Sequence, residues 1–527
     1  MQAFLGRLLL VLIALSAACA PTASPAPGTG QPTGGQQQPS GPRRAADQTL
    51  RVGTSANPST LTPEAAATNI TLYSFQFDNL VNLDANYNLK PSAAEKWEIL
   101  PDNSAWRWTL RKDLVFGNGD KATAEDVVNW IQTLLQPSPA NTVGNQLVFV
   151  SGARVVDEYT FDVQIKQRDF SMPYMGANIF VVSKKVMEQV GGPRELAANP
   201  KGAGTGPYEF VEYRQGDVVV YRLRSDAHPW RKPIATEVRW RVIPEQAQRV
   251  NGLRTGELDI ALLVSNVELI DQAKRDNIKI DARPDSYTNI IFDQKTIANT
   301  PLADKRVRQA MNYAVDKEAI ARTLYRGYGV PIGQLAVPGT LNFNDQVKPY
   351  PFDVAQAKRL LAEAGYPNGF KLQGVDISAS EFAPLFQAVQ SAHRDIGVEY
   401  EITPNEFGQY VQIALGQRQR KEMISAGGNN PNGIFTFTWQ FLKCDRPPTL
   451  VIWCVPEMDR LLSQAYAESD PARRKQLLQE AGKAWADEVP MIFLIATSSF
   501  VLSGPKVEGF VREVPAYYTL DGVYRVE

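Results

Sequence analysis

Between Pro301 and Gly327 the chain runs PLADKRVRQAMNYAVDKEAIARTLYRG, the stretch that most narrows its folding choices. Val307, Ala310, Met311, Ala314 and Val315 recur at helical spacing, so they share one face and leave Lys305, Arg308 and Asn312 on the other. This predicts an amphipathic helix. Asp316 then stands where an N-cap belongs, ahead of Glu318 and the apolar Ile320 and Leu324, and Gly327 marks the end of a second helix. By periodicity alone this is a helical hairpin in a large α/β protein.

A chain of 527 residues exceeds what one core organises, so two or three domains are expected. With 55 basic and 56 acidic residues it offers no large field to nucleic acid or to an anionic membrane. The N-terminus carries one positive charge at Arg7, an apolar run from Leu8 to Leu15, and then Ser16-Ala17-Ala18-Cys19. That run is too short to span a bilayer and reads as an export signal over residues 1–19. A cysteine after small residues resembles a bacterial lipobox, in which Cys19 becomes the lipidated first residue, although Ser16 stands where leucine is usual. A plain secretory signal cut at another small residue is the alternative. Residues 20–47, dense in Pro, Gly, Gln and Ser, cannot bury a core and are expected to be a flexible tether with a reach on the order of 30 Å.

Only Cys444 and Cys454 remain besides Cys19. In an oxidising compartment they are expected to close a short loop by a disulfide, contributing about 2 to 3 kcal/mol in the chain-entropy model; two free buried thiols are the alternative. Their spacing is not that of a CxxC metal site, and neither a metal nor a cofactor is expected.

Folded structure is expected to begin at Thr49-Leu50-Arg51-Val52-Gly53. Trp106, Trp108 and Leu110 alternate with Arg107, Thr109 and Arg111, the period of a half-buried strand. Thr123 with Asp126 three residues on reads as a capping box for a helix whose buried face is Val127, Ile131, Leu134 and Leu135. Val181-Val182 reads as strand, and Arg168 to Pro173 as a linker. Gly204-Thr205-Gly206-Pro207-Tyr208 is a poor phosphate loop, because neither a following Lys-Ser/Thr nor a helix start accompanies it. Asp353 is expected to cap a helix through Ala357, Leu360 and Leu361, and Met491 to Ile495 to be a buried strand.

Several of these segments, taken together and in order, resemble the peptide-type solute-binding proteins of bacterial ABC importers (family 5, dipeptide/oligopeptide/nickel-binding). They are LKPSAAEKW, WRWTLRKDLVF, TAEDVV, GTGPY, GELDI, the Pro301 segment, FDVAQAKRLLAEAGYP, and Glu406-Phe407 followed by Tyr410. The resemblance implies an α/β, two-lobe periplasmic-binding-protein-like fold of type II, in the large variant with an extra subdomain in the first lobe. The boundaries it suggests are 48–81, 186–285 and 497–527 for lobe I, 82–185 for the subdomain and 286–496 for lobe II. It further implies an exported monomer, periplasmic or at the cell surface, that closes on a solute by a hinge motion and delivers it to permease subunits. Carried over by position, the ligand contacts would be Thr68, Asn69, Tyr287, Asn289, Asn429, Asn430, Asn432 and Trp439.

Two points bear on the solute. Peptide receptors of this kind place an aspartate in a second-lobe loop to meet the free ammonium, whereas Gly427-Gly428-Asn429-Asn430-Pro431-Asn432-Gly433 holds three amides and no acid. A peptide is still the expected class, with an oligosaccharide second, stacked on Trp439, Phe437 or Phe435. An exported hydrolase is the competing class. The only histidines, His228 and His393, lie near no nucleophile motif and read as partly exposed structural residues, and GxSxG, HExxH and Walker A motifs are absent. Paired carboxylates for glycoside hydrolysis stay open, because spacing along the chain does not give separation in space.

Overall fold

The computed structural model describes residues 42–84, 87–137, 141–147, 149–226, 228–377, 383–405, 421–429, 444, 452–512 and 519–527. Strand β1 (Thr49–Thr54) leads to helix α1 (Ala66–Tyr73) and then to a hairpin of β2 (Val81–Leu83) and β3 (Leu89–Pro91). A four-stranded antiparallel sheet follows, built from β4 (Ala94–Ile99), β5 (Ala105–Leu110), β6 (Val150–Asp157) and β7 (Thr160–Ile165), with helix α2 (Ala124–Leu134) between β5 and β6. Next come β8 (Tyr208–Arg214), β9 (Val218–Leu223), β10 (Glu237–Val242), α3 (Gln246–Thr255), β11 (Ile260–Val264) and α4 (Val267–Arg275). The long β12 (Lys279–Phe292) opens the second half, followed by α5 (Lys305–Tyr313), α6 (Lys317–Thr323), α7 (Val354–Glu363), β13 (Phe370–Ile377) and α8 (Ala383–Arg394). It ends with β14 (Val398–Asn405), β15 (Met423–Asn429), α9 (Pro456–Ala467), α10 (Pro471–Asp487) and the long β16 (Met491–Ser503).

One large sheet joins both halves in the order β14-β13-β15-β12-β16-β11-β1-β10-β9-β8. Each half holds a parallel group, β1 with β10 and β11, and β13 with β14 and β15, and the β10-β9-β8 edge is antiparallel. The centre is antiparallel, because β12 and β16 run against each other from Lys279↔Ser503 to Ile291↔Met491. Burial changes sides along this ribbon. One core gathers Leu50, Val52, Leu72, Trp108 and Trp240 and is rejoined by Val501, Leu520 and Val523, while a second runs from Tyr287 to Ala496. This is a two-lobe α/β fold in which β12 and β16 pass from one core to the other.

Local chemistry accounts for several boundaries. Thr123 and Asp126 form the capping box of α2, and the Asp316 and Asp353 carboxylates accept from Ala319 N and Gln356 N at the starts of α6 and α7, both at 2.8 Å. The GTGPY turn is a packing device. Gly206 N donates to Gln76 O at 2.8 Å, and a Cβ on Gly204 would collide with that same carbonyl.

Four expectations change. Arg308 and Asn312, assigned by periodicity to an outer polar face, are 4% and 0% exposed. Arg308 donates to the carbonyls of Leu302, Ala303, Glu488 and Val489 at 2.7 to 3.0 Å, and Asn312 bridges Met491 O and Phe493 N. The entry of β16 covers that face and offers backbone groups to satisfy it, which helical periodicity cannot report. Both histidines are buried: His228 Nε2 lies 2.9 Å from Asp78 Oδ2, and His393 Nε2 lies 2.8 Å from Met311 O. Phe180 and Val182 make only isolated bridges. Arg44 bridges Val526 and Ala45 N donates to Arg525 O, so this part of the expected tether pairs with the chain's far end.

Candidate solute-binding cleft

Because β1, β10 and β11 are parallel, they finish on the same edge of the sheet, at Thr54, Val242 and Val264. In open α/β sheets the crevice beyond the carboxyl ends of the strands is where ligands bind. A cavity of about 940 Å³ lies there. Ser55, Pro244 and Ser265 follow these strand ends, Ser286, Tyr287 and Thr497 to Phe500 form the floor, and Thr323 to Arg326 with Pro384 and Leu385 come from the second lobe. Its size suits a small solute enclosed by both lobes.

The wall on the α3 and α4 side is rigidly built. Gln246 Oε1 accepts from Ser265 N and Asn266 N, both at 2.9 Å, and its Nε2 donates to Ser265 Oγ at 3.0 Å. Asn266 caps α4 by accepting from Glu268 N at 2.9 Å and Leu269 N at 3.3 Å. Arg249, 1% exposed, donates to the carbonyls of Ile243, Pro244 and Leu263 at 2.5, 2.8 and 2.8 Å, and burial pushes its guanidinium below the ordinary arginine range. Glu268, the one carboxylate among the described lining residues, meets Arg326 at 3.3 Å, and Arg326 also reaches Asp271 at 2.9 Å. Apart from Arg249, the rest of the described lining is uncharged: hydroxyl, amide and aromatic groups beside the aliphatic Pro244, Leu263, Val267, Leu324, Pro384 and Leu385, with Tyr328 edge-on to Phe500 at 4.9 Å.

Of the residues singled out from sequence, Tyr287 lines the cavity, while Asn289 lies beneath it, fully buried, with Oδ1 accepting from Leu494 N at 2.9 Å. Asn429 ends β15, where its backbone registers with Ser286. Thr68 and Asn69 lie on α1. Asn430, Asn432, Trp439 and Cys19 fall outside the described residues. Cys444 and Cys454 are joined by a disulfide with their Cα atoms 4.9 Å apart. Ser55, Gln246, Ser265 and Asn266 line the cavity as well; what marks them is position, just after strands whose parallel pairing sequence does not display. Among the described residues no group of three or more His, Cys, Asp or Glu could hold a metal ion, and no helix is long and apolar enough to cross a membrane.

The sequence model described as bacterial extracellular solute-binding proteins, family 5 middle, matches residues 88–447. The chain belongs to this family. Among the relatives of this family 5 protein, heme-binding protein A of Haemophilus influenzae is 27% identical over 83% of this chain and 84% of its own. The glutathione-binding protein GsiB of Escherichia coli K12 is 26% identical over 82% and 86%. Among solved structures, the ABC transporter-associated periplasmic binding protein DppA of Helicobacter pylori, in complex with the peptide STSA, superposes with a TM-score of 0.74 at 22% identity, covering 92% of this chain and 99% of that one. The family 5 protein is thus an extracytoplasmic solute-binding receptor of an ABC importer, not an enzyme.

Proposed function

We propose that this receptor captures a peptide, or a solute of similar amide chemistry, whose contacting end is neutral, and holds it in the cleft between the lobes. The observation that carries this reading is the charge inventory of the wall: among the described lining residues the single acid is paired with Arg326 and the single buried cation is tied to backbone carbonyls. An ammonium group would find no unpaired carboxylate there, and the stretch from Gly427 to Gly433 carries three amides and no acid. Relatives that bind glutathione and the peptide STSA favour the peptide class. The serine and threonine hydroxyls beside Tyr287, Tyr325, Tyr328 and Phe500 favour an oligosaccharide as the second reading.

In this reading Tyr287 and the segments of Thr68–Asn69 and Asn429–Trp439 contribute contacts as the lobes close about β12 and β16, while Asn289 braces the floor beneath them. The receptor works as a monomer held to the membrane by a lipid on Cys19, and a Cys19→Ala protein is expected to leave the membrane fraction. A thermal-shift screen of the mature domain against short peptides, their N-acetylated forms and oligosaccharides tests the solute class. Acetylation is expected to cost a bound peptide little; a loss beyond roughly tenfold, about 1.4 kcal/mol, would reveal an acidic anchor and overturn the neutral-end reading.

A further inference from the structure

The segment from Arg168 to Pro173, a mere linker by its sequence, is docked on the opposite lobe. Phe170 N donates to Tyr466 O at 2.7 Å. Tyr466 stands in the last turn of α9, where a helix leaves carbonyls without an intrahelical donor, so backbone of the subdomain caps a helix of the second lobe. The segment is shaped from its own side: Trp106 Nε1 donates to Asp169 O at 2.7 Å, and the Asp169 carboxylate accepts from Ser171 N and Oγ, both at 2.6 Å. Just beyond, the Arg474 guanidinium of α10 lies 5.8 Å from the centre of the Tyr174 ring. Tyr174 and Leu341 also pack on one small cluster of Leu83 and Tyr87, and the rings of Phe149 and Tyr466 are 6.2 Å apart.

None of Phe170, Tyr174, Tyr466 and Arg474 lines the 940 Å³ cavity, and the covalent links between the lobes run elsewhere, through β12 and β16. We propose that these four residues form a clasp between subdomain and second lobe that holds the closed form and thereby sets solute affinity without touching the solute. They are positioning residues. Contacts present only when the lobes are shut add to the closed population, and apparent affinity scales with that population. The clasp is modest by construction. On opening, both the Tyr466 carbonyl and the Phe170 N–H return to water, so the hydrogen bond contributes little net, and a cation–π contact at this distance shifts the closed-to-open ratio by about fivefold.

The clasp rests on the receptor reading only in requiring lobes that open, and its test uses no solute. Spin labels at Glu98→Cys on β4 and Lys475→Cys on α10, in the mature chain with Cys19 removed and any bound solute stripped by unfolding and refolding, report the distance between subdomain and second lobe. The parent chain is expected to show a short-distance population. Arg474→Met should lower its ratio to the long-distance population about fivefold, Arg474→Lys should restore part of it, and Tyr174→Leu, which keeps the apolar packing and removes the ring, should match Arg474→Met with no further loss in the double variant. A structural role within each lobe would lower thermal stability additively and leave the distances alone. Superimposable distance distributions in the parent chain, Arg474→Met and Tyr174→Leu would overturn the proposal.

Discussion

In the first lobe Arg51 meets Asp259 at 2.8 Å, Arg231 spans Asp78 and Asp521, and the fully buried Arg512 meets Asp285 at 2.6 Å. In the second, Arg308 and Lys317 are almost as deeply buried, yet the hydrogen bonds of both end on backbone carbonyls. The difference follows from how each lobe is assembled. The first is stitched from pieces far apart in sequence, such as residues 51, 78, 231, 259 and 521, and ion pairs tie those pieces together. The second is nearly continuous, and its cations cap helix ends and the entry of β16. Paired charges and capped carbonyls fail differently, which makes the contrast testable.

The largest effect is expected at Asp78, 1% exposed between His228 at 2.9 Å and Arg231 at 3.2 Å. Burial alone would raise its pKa, but the hydrogen bond from His228 and the charges beside it hold the carboxyl below its ordinary 3.8. Its stabilisation therefore stands above pH 3.8 and is lost as pH falls further. Asp78→Ala leaves the Arg231 guanidinium and the buried His228 ring without their shared acceptor and should cost about 3 to 5 kcal/mol in denaturant unfolding at neutral pH. A loss under about 1 kcal/mol would break the view that ion pairs hold the first lobe together.

The second lobe should respond in a different pH window. Burial pushes His393 down to about 4, against an ordinary 6.5, despite its bond to Met311 O. Between those values the unfolded chain binds the proton first, so stability falls as pH drops from 6.5 towards 4, by roughly 3 kcal/mol in all. His393→Asn should flatten that slope in pH-dependent unfolding; an unchanged slope would assign it elsewhere. Burial likewise lowers Lys317 to about 7, against the effect of Asp316, so its contribution to stability rises with pH from 7 towards 10.5. The smallest effect belongs to the cross-lobe pair of Arg326, whose side chain is 45% exposed. Arg326→Ala should cost at most about 1 kcal/mol in unfolding, and less as salt is raised.

Much of this framework was legible in the chain. Thr123 with Asp126, Asp316 and Asp353 announced helix starts because capping is local chemistry, and Trp106, Trp108 and Leu110 announced a strand because one face of β5 is buried. Arg308 and Asn312 misled because their burial depends on β16, about 180 residues further along, as the separation to Phe493 shows. The cleft was harder still. Of the residues expected to contact solute Tyr287 lines it, whereas Ser55, Gln246, Ser265 and Asn266 became visible only once β1 and β11 were seen to end together. Parallel pairing is a tertiary fact that sequence periodicity does not carry.

If the crevice at these strand ends holds the solute, filling it must cost affinity. Thr497, on β16 in the cavity floor, offers a way to fill it, since a Trp there occupies the crevice. Isothermal titration of whichever peptide scores highest in the thermal-shift screen, against the parent chain and Thr497→Trp, is the most direct measurement. Affinity should fall at least about tenfold, roughly 1.4 kcal/mol, while the unfolding midpoint stays put. Equal affinity in the two proteins would contradict the account and move the solute to another part of the molecule.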